Sequence, residues 1–128
     1  MNPRSPRQKS RRQRAWRFGH VGETMAAWAL RLKGYRVLAT RFKTPVGEID
    51  LICRRGKRLV FVEVKARRRQ ESDDLPVTRK QQRRIAHAAL AFVQRNPALA
   101  DHYMRFDLVL VRPWAWPTQI EDVWRAES

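Results

Sequence analysis

Apolar residues recur at helical spacing in two stretches of the chain and at strand spacing in the segments around them. Met25, Trp28, Ala29 and Leu32 fall three and four apart and stop before Gly34, a residue type suited to the turn after a helix. A first helix is therefore predicted over about Val21 to Lys33, with that stripe facing the core. Tyr35 to Phe42 is short and β-compatible, and Pro45 punctuates the chain before a second strand, Glu48-Ile49-Asp50-Leu51-Ile52-Cys53, opened by Gly47. A third strand runs from Arg58 to Lys65. Arg67 to Pro76 is polar and predicted to be a loop. Thr78 and Gln81 form a capping-box pattern, followed by an apolar stripe of Ile85, Ala88, Ala89, Phe92 and Val93 that ends before Asn96-Pro97. Phe106, Leu108 and Leu110 alternate with Asp107, Val109 and Val111 in a strand closed by Pro113, and Ile120 to Trp124 adds a short edge strand.

The turn between the second and third strands sets the register. With Gly56-Lys57 as the central pair of a type II′ hairpin, Arg55 pairs with Arg58, and counting outward sets Asp50 opposite Glu63. Leu59, Phe61, Glu63 and Lys65 share one face of the third strand and Val60, Val62 and Val64 the other. Opposed strand residues have Cβ atoms ~4.5–5.5 Å apart, where two like charges destabilise unless a positive charge sits between them. Two carboxylates at that spacing can share a hard cation, Mg²⁺ or Mn²⁺, leaving its other positions to water and phosphate. Lys65 beside them could orient or deprotonate an attacking water. The same residues also read as a surface salt-bridge ladder. Their place at the end of Leu59-Val60-Phe61-Val62-Glu63-Val64-Lys65, a run that looks buried on both faces, favours a partnered or metal-bound pair. Glu48 is a weaker extra candidate.

Charge adds a partner. The 128 residues carry 28 Lys and Arg against 12 Asp and Glu, a net charge of +16, which points to a polyanion, nucleic acid first. Seven basic residues and no acid fall in Met1 to Arg17, read as a flexible basic arm ahead of one domain from residue 18 to 128. Arg67, Arg68 and Arg69 leave the third strand, and Arg79, Lys80, Arg83 and Arg84 crowd the start of the second helix, where cations oppose the helix dipole unless phosphates dock. A hydrophobic content of 43% with five Trp argues against a disordered tail. Cys53, the single cysteine, excludes an intrachain disulfide and suits a reducing cytoplasm; it is expected to be a small core residue. No apolar run is long enough for a membrane span or shaped like a signal peptide. Trp114 and Trp116, between Pro113 and Pro117, are expected to pack over an edge or in a dimer contact, ahead of stacking on bases.

Gly22-Glu23, Gly47-Glu48-Ile49-Asp50-Leu51-Ile52, Phe61-Val62-Glu63-Val64-Lys65 with Arg67, and Arg105-Phe106-Asp107 together resemble the YraN family of uncharacterised bacterial proteins. That family looks like the restriction-endonuclease-like superfamily of PD-(D/E)xK nucleases and is similar in layout to archaeal Holliday-junction resolvases. The resemblance covers about Phe18 to the C-terminus. It implies a three-layer α/β fold, a central mixed sheet of four or five strands flanked by helices. It also implies Asp50 and Glu63 as metal ligands, the Val64 carbonyl as a further ligand, Lys65 as the catalytic lysine and Glu23 as an acid brought to the site by the first helix. Arg41 stands where many members carry Asn. The expected function is divalent-metal-dependent endonuclease action on DNA, branched or damaged DNA included. A homodimer follows from the resolvase analogy. The alternative is a non-catalytic DNA- or RNA-binding module with a vestigial site.

Overall fold

A computed structural model describes residues 21–66 and 77–125; the basic arm and the Arg67–Pro76 loop lie outside the described residues. Helix α1 (residues 21–32) leads into strands β1 (Arg36–Thr44), β2 (Gly47–Arg55) and β3 (Arg58–Ala66). Helix α2 (Arg79–Arg95) and a 3-10 turn (Pro97–Leu99) then precede β4 (Tyr103–Val111) and β5 (Thr118–Trp124). The five strands form one sheet in the order β1-β2-β3-β4-β5. All neighbours are antiparallel except β3 and β4, which run parallel and are joined by α2, the crossover that a parallel pair requires.

The local signals act as the sequence implies. After α1, Gly34 takes a φ of 91° while its N–H donates to Arg31 and that of Tyr35 to Leu30, which satisfies two carbonyls at the helix end. Thr78 and Gln81 complete a reciprocal capping box on α2. Gly56 alone of the hairpin pair has a positive φ, 61°, as a type II′ turn demands, and the register follows: Arg55 with Arg58, through to Leu51 with Val62.

Alternation sorts the sheet into two apolar faces. Ile52, Leu59, Phe61, Phe106 and Leu108 lie under Ile85, Ala88, Ala89 and Phe92 of α2. Leu51, Cys53, Val60, Val62, Val109 and Val111 lie against Ala26, Ala27 and Leu30 of α1. The result is a three-layer α/β/α fold in which β3, buried on both faces, forms the spine. Fully burying a Phe or Leu here contributes ~1.5–3 kcal/mol. Cys53 is the expected core residue, its thiol pushed up to about 12 by burial.

The inner face of α1 differs from the expected stripe. Of that stripe Ala29 is buried and Met25 packs against the core, whereas Trp28 and Leu32 are 58% and 71% exposed and Ala26, Ala27 and Leu30 are buried in their place. Small side chains let the helix sit close to the sheet: a Cβ placed on Gly22 would lie only 3.7 Å from Val111. Large residues attract attention in a periodicity search, but here the close-packed side is the small one. β1 also runs further than expected, to Thr44, and β5 begins at Thr118. No helix of the described residues is long and apolar enough to cross a membrane.

Candidate active site

The regular β2–β3 pairing ends at Leu51 and Val62, one step before Asp50 and Glu63. There the Asp50 carboxylate takes over from the backbone, its Oδ2 accepting the Val64 N–H at 2.8 Å. This bond draws Asp50 onto the end of β3, where its carboxyl meets that of Glu63 in a side-chain hydrogen bond. Lys65 Nζ stands 3.4 Å from Glu63 Oε1, with both side chains about one-fifth exposed. The expected trio of Asp50, Glu63 and Lys65 is thus assembled. Val64 lies half-buried between them in sequence, with its amide committed to Asp50.

Burial, and then the proximity of Asp50, raises the Glu63 carboxyl to about 8. Asp50 is raised as well, by burial against the lowering effect of the Val64 amide, with the charge of Glu23 pushing the same way. Two carboxyls this close in a partly dry setting cannot both ionise easily, so Glu63 holds the proton it donates to Asp50. Glu23, on the first turns of α1, is near enough to act on Asp50 through its charge. Its own carboxylate is held by Arg41 of β1, Nε to Oε2 at 2.7 Å. Among the described residues no three His, Cys, Asp or Glu side chains are gathered into a ready metal cage.

Glu63 also opens onto a cleft of about 700 Å³ between the β1–β2 turn and the start of α2, lined by Lys43, Glu48, Gln81 and Arg84 among others. The close approach of α2 to this turn depends on Gly47. A Cβ there would lie 2.3 Å from the Arg84 carbonyl oxygen. Arg79, Lys80, Arg83 and Arg84 are all exposed on the first turns of α2, with no acid in the first turn to balance them. Arg67 and Arg68 lie outside the described residues. Lys43 and Gln81 were not singled out as site residues from sequence. Gln81 was legible only as a cap, while Lys43 reaches the cleft because β1 is longer than its apolar pattern suggests. Trp114 and Trp116 do not pack over the sheet edge: the first is fully exposed and the second 63% exposed.

A parallel strand pair with a helical crossover, sheathed by helices on both faces and carrying two carboxyls and a lysine at the C-terminal end of β3, defines an α/β protein with the restriction-endonuclease-like three-layer architecture. The chain belongs to a family described as "Uncharacterised protein family UPF0102", which matches residues 22–111 and so includes every candidate acid and Lys65. It is 53% identical over 115 residues to a UPF0102 protein of Chelativorans sp. (strain BNC1), covering 90% of this chain and 93% of that one. A UPF0102 protein of Parvibaculum lavamentivorans is 50% identical over 111 residues, 87% of this chain and 84% of the relative. One from Mesorhizobium japonicum is 49% identical over 116 residues, 91% and 93% respectively.

Proposed function

We propose that the protein is a divalent-metal-dependent DNA endonuclease whose centre is Asp50, Glu63 and Lys65, with Glu23 as an auxiliary acid. The observation that carries this reading is the pair of carboxyls joined through the Glu63 proton, half-buried beside Lys65, with Glu63 opening onto a cleft that Lys43 and Arg84 also line. Burying two acids together is costly unless a positive charge joins them. Hard carboxylate oxygens fit Mg²⁺ or Mn²⁺, so Asp50, Glu63 and the Val64 carbonyl are the residues that would hold the ion. Such an ion supplies charge stabilisation to a phosphodiester under attack. Lys65 orients the attacking water and neutralises charge on the phosphate, while Lys43, Arg79, Lys80, Arg83 and Arg84 bind the backbone on either side. Arg67 and Arg68, outside the described residues, are further phosphate-binding candidates from the sequence. The lone buried thiol suits a reducing cytoplasm, and a homodimer would present two centres to a two-fold branched substrate.

The ion pair between Arg41 and Glu23 favours a second reading, a nucleic-acid-binding module with a vestigial centre, because it engages the third acid. Incubating wild type and Asp50→Asn with labelled linear, flap and four-way-junction DNA in Mg²⁺, Mn²⁺ or EDTA separates the two. Metal-dependent cleavage lost in Asp50→Asn is expected. Binding without cleavage by both proteins would replace the nuclease reading with the binding module.

A further inference from the structure

The turn between β4 and β5 holds two indoles that the fold does not use. β3 and β4 are parallel and in register at Lys65 with Leu110 and Ala66 with Val111, so the chain leaving Val111 emerges at the same end of the sheet as Lys65. The first turn of α1, which carries Glu23, touches this end through Gly22 and Val111. The turn that follows displays Trp114, fully exposed, and Trp116, 63% exposed, while Pro117 is buried and anchors it. Trp114 adopts a φ of 63°, a left-handed conformation that a bulky aromatic residue rarely takes. Holding a large apolar ring in water, on strained backbone, at the same end of the sheet as Lys65 is unfavourable for folding alone and directs attention to a ligand.

We propose that Trp114 and Trp116 form a stacking platform for an unpaired base of the nucleic acid held at the candidate active site. The inference rests on the nucleic-acid part of the proposed function and is independent of cleavage. An indole offers a flat face, and a base inside a duplex has both its faces covered by neighbours. The base that can stack here is therefore one already freed, in a single strand, a flap or an opened junction. Charge favours this occupant over a second copy of the chain, which would bring another +16 to the contact, whereas a polyanion is attracted to it. The platform thus selects the class of substrate: DNA with an unpaired segment next to the scissile region.

The test measures binding of the full chain, in EDTA, to a labelled single strand, a flapped duplex and a blunt duplex by fluorescence anisotropy. The double variant Trp114→Ala, Trp116→Ala should lose about 10-fold or more on the single strand and flap, with blunt-duplex affinity kept within about 2-fold. Trp114→Phe, Trp116→Phe should restore most of the loss, since an aromatic face is all that stacking needs. Equal losses on all three ligands, or no loss on the single strand, would overturn the proposal. So would a fall from dimer to monomer in light scattering of the Ala variant, which would assign the turn to a second copy. Because no cleavage is measured, a catalytically inert protein would still report on the platform. Single-strand and flap binding that shows no Trp dependence, beside intact binding of the blunt duplex, would sink this inference and leave the nuclease reading standing.

Discussion

Two carboxylate clusters occupy this sheet, and they are built on opposite plans. On β4, Asp107 is 1% exposed and accepts from Arg105 Nε and Nη2, each at 2.8 Å, from Gln119 Nε2 at 2.8 Å and from the Asp122 N–H at 3.0 Å. Arg105 also donates to the Tyr35 hydroxyl at 2.7 Å, tying β4 to the strand-entry segment after α1. Every oxygen of that carboxylate is answered by a donor, and the network closes a bulge where β5 slips against β4. Asp50 and Glu63 instead face each other with one backbone amide and one lysine between them. A buried acid that serves the fold is fully satisfied; this pair is left short of positive charge, the condition expected where a ligand completes a site.

The contrast is broken most forcefully at β4. Asp107→Ala should destabilise by about 3–5 kcal/mol, because it strands the Arg105 guanidinium in the core; urea denaturation would measure it. A loss under about 1 kcal/mol would mean that water reaches the network and that it is no model of a structural pair.

Next in size is Gly47, which brings α2 against the acid-bearing strand. Gly47→Ala should cost about 1–3 kcal/mol through collision with the Arg84 carbonyl, whereas Gly22→Ala, at ordinary contact distance from Val111, should be neutral or slightly stabilising. Matched urea midpoints for the two variants would refute the close approach.

At the candidate site the sign reverses. Glu63 is raised from 4.5 in the unfolded chain to about 8 in the fold, so the folded state holds the proton more tightly. The resulting stabilisation is complete below pH 4.5 and is lost as pH rises through about 8. Glu63→Gln should flatten this slope and equal or exceed wild-type stability at the alkaline end, by up to ~1 kcal/mol. Mn²⁺ should flatten it in wild type and not in the variant. A wild-type protein whose stability rises across that window would contradict the assignment.

The smallest effect is expected at Arg41. Arg41→Asn, a residue that tolerates the φ of 51° found there, should change stability by less than ~1 kcal/mol because the ion pair with Glu23 is partly solvated. Isothermal titration with Mn²⁺ should nevertheless show tighter binding as Glu23 is released toward Asp50. Unchanged affinity would remove Glu23 from the site.

Much of this arrangement is legible in residue order because it depends on neighbours along the chain. Gly56 sets the hairpin, the hairpin sets the register, and the register carries Asp50 to Glu63. Thr78 and Gln81 cap α2, and its stripe of Ile85, Ala88, Ala89 and Phe92 can face only one way. The inner face of α1 was not legible, since Trp28 and Leu32 dominate its apolar pattern while the close approach of the sheet selects Ala26, Ala27 and Leu30. Nor was the fate of the Trp114 turn, whose proline-bounded aromatics read as packing over an edge or in a dimer contact, whereas both indoles stand off the sheet edge.

By itself, then, the sequence determined the elements, the pairing of β2 with β3, the gathering of Asp50, Glu63 and Lys65, and a strongly basic character, all consequences of short-range geometry and charge. Only the tertiary structure decided that Arg41 holds Glu23, that Lys43 and Arg84 share a cleft with Glu63, and that Trp114 and Trp116 stand exposed at the same sheet end as Lys65. Those relations join residues distant in sequence, and they are set by how closely each helix packs against the sheet.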